Sequence, residues 1–423
     1  MINYRLLIIV LIFCGLYSCK NTNPNPVDEN IIVNAVEVEL DKKLDSIHKL
    51  GHTNGLGVAL VNEKGSIFES GYGYSDRKIR ANYTANTIQP IASISKVILG
   101  LTLAKAIEDG HLTLEDDINK FLDFEVRNPQ YPEIPVLVKH LASHTSSIND
   151  GDYYDQSYIN LEPDASENPN IDQEELANFY PMEDAKCLEA FLKNGLTNLD
   201  VESLDYIYSG HSPGTAYDYS NIGAGLTALV IEKATGTSFK EYSKKNIIAP
   251  LGLKNTSWNL SDLDSRKAST LYSTLELRHP NYRLITFADG GLYTSPHDLG
   301  IILTELIRGY NGNGTLLNTA SYVQYYKKQL EASNFSDPKT IDRINDNLNH
   351  GIFIEYNNEY IGHTGGDPGV NTVMFFEPEN NLGFIIFLNT DINTQESYNS
   401  FLDIGKILSE TNKNILKKKN SIE

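Results

Sequence analysis

Two groups of strand-length apolar runs stand at opposite ends of this chain, and they limit what it can fold into. Near the start, residues 55–61 form one unbroken run, Asn62-Glu63-Lys64-Gly65 reads as a turn, and residues 66–74 read as its hairpin partner. Near the end, residues 351–356, 372–376 and 383–388 read as successive strands, and the short link 377–381 makes the last two antiparallel neighbours. An amphipathic helix is predicted over 33–50, where Val33, Val36, Leu40, Leu44, Ile47 and Leu50 recur among polar residues. A final helix is predicted from about 395 to 415. Between the two strand groups, about 115–285, the chain reads as helices and long loops, including a helix over 221–234 closed by Gly236. The expected fold class is α/β in its α+β form: one antiparallel sheet built from the N- and C-terminal segments, flanked by helices, with an inserted mostly helical domain.

The chain has 423 residues and a formal net charge of −20. That balance argues against a nucleic-acid partner and against a basic membrane-binding face. Residues 417–423, with Lys417-Lys418-Lys419, read as a solvated basic tail. Residues 1–19 resemble a bacterial lipoprotein signal: Arg5, an apolar run over 6–16, then Leu16-Tyr17-Ser18-Cys19. Cys19 would then carry lipid and hold an exported protein at the cell envelope, and the membrane is met through that anchor alone. The rival reading is an ordinary secretory signal with an incidental Cys19. The polar, Pro-broken stretch 20–32 reads as a tether to a body over 33–416. Cys14 lies in the signal as well, so Cys187 is the one cysteine of the body, which excludes an internal disulfide there; it is expected as a small core residue. No His or Cys cluster has metal-ligand spacing, and neither metal nor cofactor is expected.

Ser93 and Lys96 open the apolar run 97–101. On a helix, positions i and i+3 share a face. A lysine of lowered pKa beside a serine can take its proton, and a helix N-terminus favours the negative charge that develops. The bland alternative is a helix cap followed by a solvated lysine, and Ser95 could cap the helix as readily as Ser93. Two later motifs strengthen the catalytic reading: Tyr217-Asp218-Tyr219-Ser220-Asn221 at the mouth of the 221–234 helix, and Gly362-His363-Thr364-Gly365-Gly366 between two predicted strands.

The order Ser-x-x-Lys, Tyr-x-Asn, His-Thr-Gly resembles the penicillin-recognising serine hydrolases, and among them the class C β-lactamase and D-alanyl-D-alanine carboxypeptidase branch. Leu141-Ala142-Ser143-His144-Thr145-Ser146, residues 248–253, Asn255-Thr256-Ser257-Trp258 and residues 290–295 agree in place and order. The resemblance runs from about 56 to 391 and implies a β-lactamase/transpeptidase-like fold. It implies Ser93 as acylated nucleophile, with Lys96 and Tyr219 sharing the base work. Asn221 would hold Lys96 and the substrate amide. The backbone N–H groups of Ser93 and Gly366 would form the oxyanion hole beside Thr364 and Gly365, and His363 would line the edge strand facing substrate. Substrates in this reading are a D-amino-acid peptide, an ester or a β-lactam. The same machinery would serve a plain carboxylesterase, or persist in a binding module without turnover.

One feature departs from the family pattern, and two others bear on specificity. Lys-Thr-Gly is common where this chain has His363, and an unperturbed histidine, of pKa about 6.5, is mostly neutral above pH ~7. The negative net charge also repels anionic substrates. Residues 149–175, rich in Asp, Asn, Tyr and Pro, read as a surface insertion over a cleft, or as a loop with no role.

Overall fold

Successive side chains of a strand point to opposite faces, so an unbroken apolar run must be covered on both. The computed structural model describes residues 29–198, 200, 206–335, 340 and 347–420, and it shows this double cover. Among the described residues, eight strands form one antiparallel sheet: β1 (Gly55–Asn62), β2 (Gly65–Asp76), β3 (Ala81–Asn82), β4 (Asn349–His350), β5 (Glu355–Asn357), β6 (Tyr360–Asp367), β7 (Val370–Glu377) and β8 (Leu382–Leu388). Their spatial order is β3-β2-β1-β8-β7-β6-β5-β4. The two ends of the chain therefore meet in the middle of the sheet, where Val58 faces Ile386 across the β1–β8 ladder.

The main helices are α1 (Glu29–His48), α2 (Ser95–Glu108), α3 (Asn221–Thr235), α4 (Pro296–Tyr310) and α5 (Gln395–Asn420). Leu56, Val58, Leu60, Ile386 and Leu388 point to one face, where Leu40 and Leu44 of α1 and Phe401, Ile404 and Leu408 of α5 cover them. The alternate residues Ala59, Val61, Ile385 and Phe387 point to the other face and pack with Leu299, Ile302 and Leu303 of α4. That second core continues into α2 and α3, so the sheet and the helical layer share one apolar interior.

Several expectations change. The predicted strand 351–356 is broken: only Glu355 and Tyr356 lie in a strand, β5, and ahead of it Gly351 N–H donates to the Ile354 carbonyl at 2.9 Å. Ile352, Phe353 and Ile354 are all fully buried, so consecutive side chains go inward instead of alternating, and Phe353 takes a φ of 52° to allow it. The His-Thr-Gly motif lies on a strand of its own, β6, rather than between strands. Its three glycines mask the strand pattern. Residues 149–175 are not a surface insertion throughout: Tyr153, Tyr154, Ser157, Ile159, Ala165 and Ile171 are buried, and Tyr158–Asn160 pairs with Tyr282–Leu284. Cys187 is exposed, at the cap of the helix Leu188–Leu196, and is no core residue. Helix α1 starts at Glu29, inside the expected tether, and α5 continues to Asn420, through Lys417, Lys418 and Lys419. The expected signal and Cys19 lie outside the described residues.

Because Ile386 is almost fully buried at the junction of the two chain ends, Ile386→Ala should destabilise the fold by about 2–5 kcal/mol. The expected result is a lower urea midpoint with an unchanged slope; an unaltered midpoint would contradict this packing.

Candidate active site

A short 3-10 turn, Ala92–Ile94, leads directly into α2. From Ile91 to Gly100 every residue is buried except Ser93, which is half-buried. This separates the two candidate serines. Ser95 is fully enclosed, and its Oγ accepts the Leu292 N–H at 3.1 Å. Ser93 alone keeps access to solvent. The turn places Ala92 at a φ of 48°, a conformation that favours glycine and is held here by the packing around it.

Lys96 is fully buried, and its Nζ donates to three oxygens: Ser93 Oγ at 3.2 Å, Asn221 Oδ1 at 2.6 Å and the Asp289 carbonyl at 2.8 Å. Burial lowers its pKa, while the carboxyls of Asp289, Asp150 and Asp367 pull the other way. Two of the three partners are carbonyl oxygens and can only accept. The third is a hydroxyl, which can turn and donate. A neutral Lys96 thus keeps both carbonyl bonds and offers its lone pair to the Ser93 proton.

Asn221 is the first residue of α3, which Ser220 caps by accepting the Gly223 N–H at 2.8 Å. Asp150 fixes this helix end from outside. One carboxylate oxygen accepts the Asn221 and Ile222 N–H groups at 2.8 and 2.9 Å, and the other accepts Asn221 Nδ2 at 2.9 Å. That last bond turns the Asn221 amide so that its oxygen faces Lys96. Burial pushes the Asp150 carboxyl up to about 6, against the N–H bonds and Lys96 that draw it down.

Tyr219 stands beside the same lysine, with Lys96 Nζ 4.9 Å from its ring centroid. Its ring stacks on His144 at 4.4 Å. Burial drives the phenol well above its usual range despite a hydrogen bond with Ser93, so Tyr219 rests as a phenol. His144 Nδ1 accepts the Ser220 N–H at 3.2 Å, which assigns the proton to Nε2.

Strand β6 closes the site from the sheet side. β5 pairs only with Tyr360, Ile361 and Gly362, so from His363 to Asp367 this edge of β6 has no strand partner among the described residues. A Cβ on Gly365 would lie 2.3 Å from the Ile91 carbonyl, so only glycine lets the strand meet the serine turn this closely. Gly366 is exposed, and a Cβ there would meet nothing within 4 Å. That open space lies on the strand that packs against the Ser93 turn. Thr364 is half-buried on the same edge.

His363 does not face an open cleft. It is buried against Tyr219, with ring centroids 6.2 Å apart. Its Nδ1–H donates to the Thr364 carbonyl at 2.6 Å, which leaves a lone pair on Nε2 without a partner among the described residues. Burial and Lys96 push its pKa down to about 4, so it is neutral at neutral pH and supplies no fixed cation.

The structure thus brings together all the residues singled out in the folded body: Ser93, Lys96, Tyr219, Asn221, His363, Thr364, Gly365 and Gly366. It adds four more. Asp150 begins the acidic stretch, His144 sits inside a quoted signature, Asp289 directly precedes the 290–295 signature, and Asp367 directly follows Gly366. Among the described residues, no group of three or more His, Cys, Asp or Glu side chains could hold a metal ion.

Known proteins are similar to this chain in sequence and fold. The family model described as "Beta-lactamase" matches residues 40–402. The chain is 23% identical over 365 residues to "Protein flp" of Staphylococcus aureus (strain N315), covering 85% of this chain and 64% of that one. It therefore spans just under two thirds of that relative. Among solved structures, the octameric penicillin-binding protein homologue from Pyrococcus abyssi is similar in fold, with a TM-score of 0.66, 22% identity, and 89% and 77% of the two chains covered. The D-amino acid amidase from Ochrobactrum anthropi SV3 gives a TM-score of 0.63, 19% identity, and 90% and 99% coverage.

Asp150→Asn would place an N–H donor opposite Asn221 Nδ2 and drive the Asn221 amide to flip, which removes an acceptor from Lys96. Hydrolytic activity should fall by about 10²-fold with the fold retained. Unchanged kcat/KM in a folded variant would rule out this positioning role.

Proposed function

The chain belongs to the beta-lactamase family, and from that premise we propose that it is a serine hydrolase that acts through an acyl-enzyme on Ser93. The observation that carries this reading is the threefold hydrogen bonding of Lys96 to Ser93 Oγ, Asn221 Oδ1 and the Asp289 carbonyl. Neutral Lys96 takes the Ser93 proton as Oγ bonds to the substrate carbonyl carbon. The N–H groups of Ser93 and Gly366 receive the oxyanion. The bond to the leaving group then breaks, and Tyr219, held as a phenol, gives that group its proton and regains one from Lys96. Water attacks the acyl-enzyme, the same groups carry its proton back to Ser93 Oγ, and the free acid departs. Asn221 holds Lys96 and the substrate amide, while Thr364, Gly365 and Gly366 offer the strand edge to substrate.

The substrate class is a D-amino-acid peptide, ester or β-lactam. Likeness in fold to a D-amino acid amidase and a penicillin-binding protein homologue supports acyl transfer from such compounds. The neutral state of His363 weighs against dependence on a substrate carboxylate. A plain carboxylesterase would use the same site. A binding module without turnover is disfavoured by the assembled Ser93–Lys96–Asn221 contacts.

Intact-mass analysis after mixing with a p-nitrophenyl ester should show one acyl adduct that Ser93→Ala abolishes. Lys96→Ala should lower kcat/KM by about 10²–10⁴-fold. Because the active form of Lys96 is unprotonated, kcat/KM should rise with pH through a midpoint below the ~10.4 of a free lysine. Undiminished turnover in Ser93→Ala would overturn the assignment.

For location, we propose that Cys19 carries the lipid that tethers the enzyme to the cell envelope. Cys19→Ala should shift the protein from the membrane to the soluble fraction; equal membrane association of both forms would refute the anchor.

A further inference from the structure

The charge around Ser93 is unusual for a site that would hold an anionic substrate. Of the side chains that form it, only Lys96 is cationic, and three carboxyls surround it electrostatically: Asp289, Asp150 and Asp367. Asp150 is occupied at the end of α3. The other two are not fully used.

Asp289 is completely buried. Its Oδ2 accepts the Tyr154 hydroxyl, and its Oδ1 has no hydrogen-bond partner among the described residues. An acceptor left unsatisfied in the interior is costly, so its survival calls for a donor that arrives from elsewhere. Asp367 follows Gly366 on β6. Its Oδ1 accepts the Tyr158 hydroxyl at 2.5 Å, while its Oδ2 lies 3.0 Å from the point where a Cβ on Gly290 would sit. Glycine at 290 therefore leaves room for that carboxylate beside Asp289. Burial pushes Asp367 up to about 7, with the Asp289 charge adding to the rise. His363 Nε2 is another unsatisfied acceptor on β6.

These open positions want donors. A substrate carboxylate would bring more acceptors. An ammonium brings three N–H donors and a positive charge, which the walls of Tyr158, Tyr282 and Phe179 keep away from bulk water and so strengthen. Position agrees. Asp367 shares a strand face with Gly365, whose Cβ would meet the Ile91 carbonyl and Ala92, so its carboxylate lies on the face turned to the serine turn. An α-ammonium is only two bonds from its own carbonyl carbon.

We propose that this site takes substrates whose acyl part carries a free α-ammonium group, aminoacyl amides, esters or peptides with an unblocked amino end, and that Asp367 and Asp289 hold that group. The proposal rests on the Ser93 acyl-enzyme reading and narrows its substrate class.

The test compares p-nitroanilides of D- and L-alanine and of D- and L-phenylalanine, each against its N-acetyl twin, on the full chain, with intact mass to follow the Ser93 adduct. At least one free-amine compound should be turned over about tenfold or more faster in kcat/KM than its twin. Asp367→Asn should collapse that ratio to within about threefold, and Tyr158→Phe, which frees the carboxylate from its anchor, should reduce it part-way. Ser93-dependent turnover with the acetylated twins equal or better would overturn this proposal and leave the acyl-enzyme reading standing. A ratio untouched in both variants would overturn the assignment to Asp367. Folded protein that turns over no compound and forms no adduct would overturn both readings together.

Discussion

A lysine ammonium buried without partners is one of the least tolerable groups in a protein interior. Much of the site's construction answers that problem at Lys96. The Asp289 carbonyl reaches it because residues 289–292 are tied to the serine turn, with Leu292 N–H donating to Ser95 Oγ and Ile91 N–H to the Leu292 carbonyl. Asn221 Oδ1 reaches it because Asp150 holds the other side of the same amide. Remove either support and the lysine loses that acceptor. The bond to Ser93, the third partner, is the longest of the three at 3.2 Å, and Ser93 is only half-buried, which is where reactivity is needed.

The sheet supplies the rest of the geometry over long sequence distances. Ser93 follows the first strand group, and the His-Thr-Gly edge belongs to the second. They meet because β1 and β8 pair side by side, with β7 placing β6 one further strand away. The close approach at Gly365 then sets the spacing between strand and turn. Thr372 Oγ1 on β7 donates to the Ile91 carbonyl at 2.9 Å and locks it. The site thus depends on the pairing of both chain ends, the slow non-local part of such a fold.

Periodicity carries the legible share of this structure. Strands β1, β2, β7 and β8 and helices α2 and α3 appear in the sequence because their apolar runs match strand and helix repeats, and Gly236 closes α3 with a φ of 66°. Segments that serve the site break those repeats. β6 is hidden by glycines needed for close approach, and 351–354 turns three consecutive apolar residues inward under α2. The catalytic candidates are legible as motifs, since Ser93, Lys96, Tyr219 and Asn221 keep fixed spacings. Their supports are not. Asp150, Asp289 and Asp367 belong to none of the catalytic motifs, and by residue type alone each reads as a solvated loop residue. Only the fold shows that three stretches far apart in sequence converge on one lysine.

That convergence has a chemical consequence. Burial lowers the pKa of Lys96, but the three carboxyls raise it again, and a protonated Lys96 is no base. The carboxyls therefore hold back part of the drop in pKa that burial causes. A cation bound at Asp367 and Asp289 would offset their charge and add its own repulsion, and both effects favour loss of the Lys96 proton. An ammonium-bearing substrate would thus help to generate the base that activates Ser93, whereas a carboxylate-bearing one would favour the protonated form of Lys96. Selectivity and activation then follow from the same acidic residues.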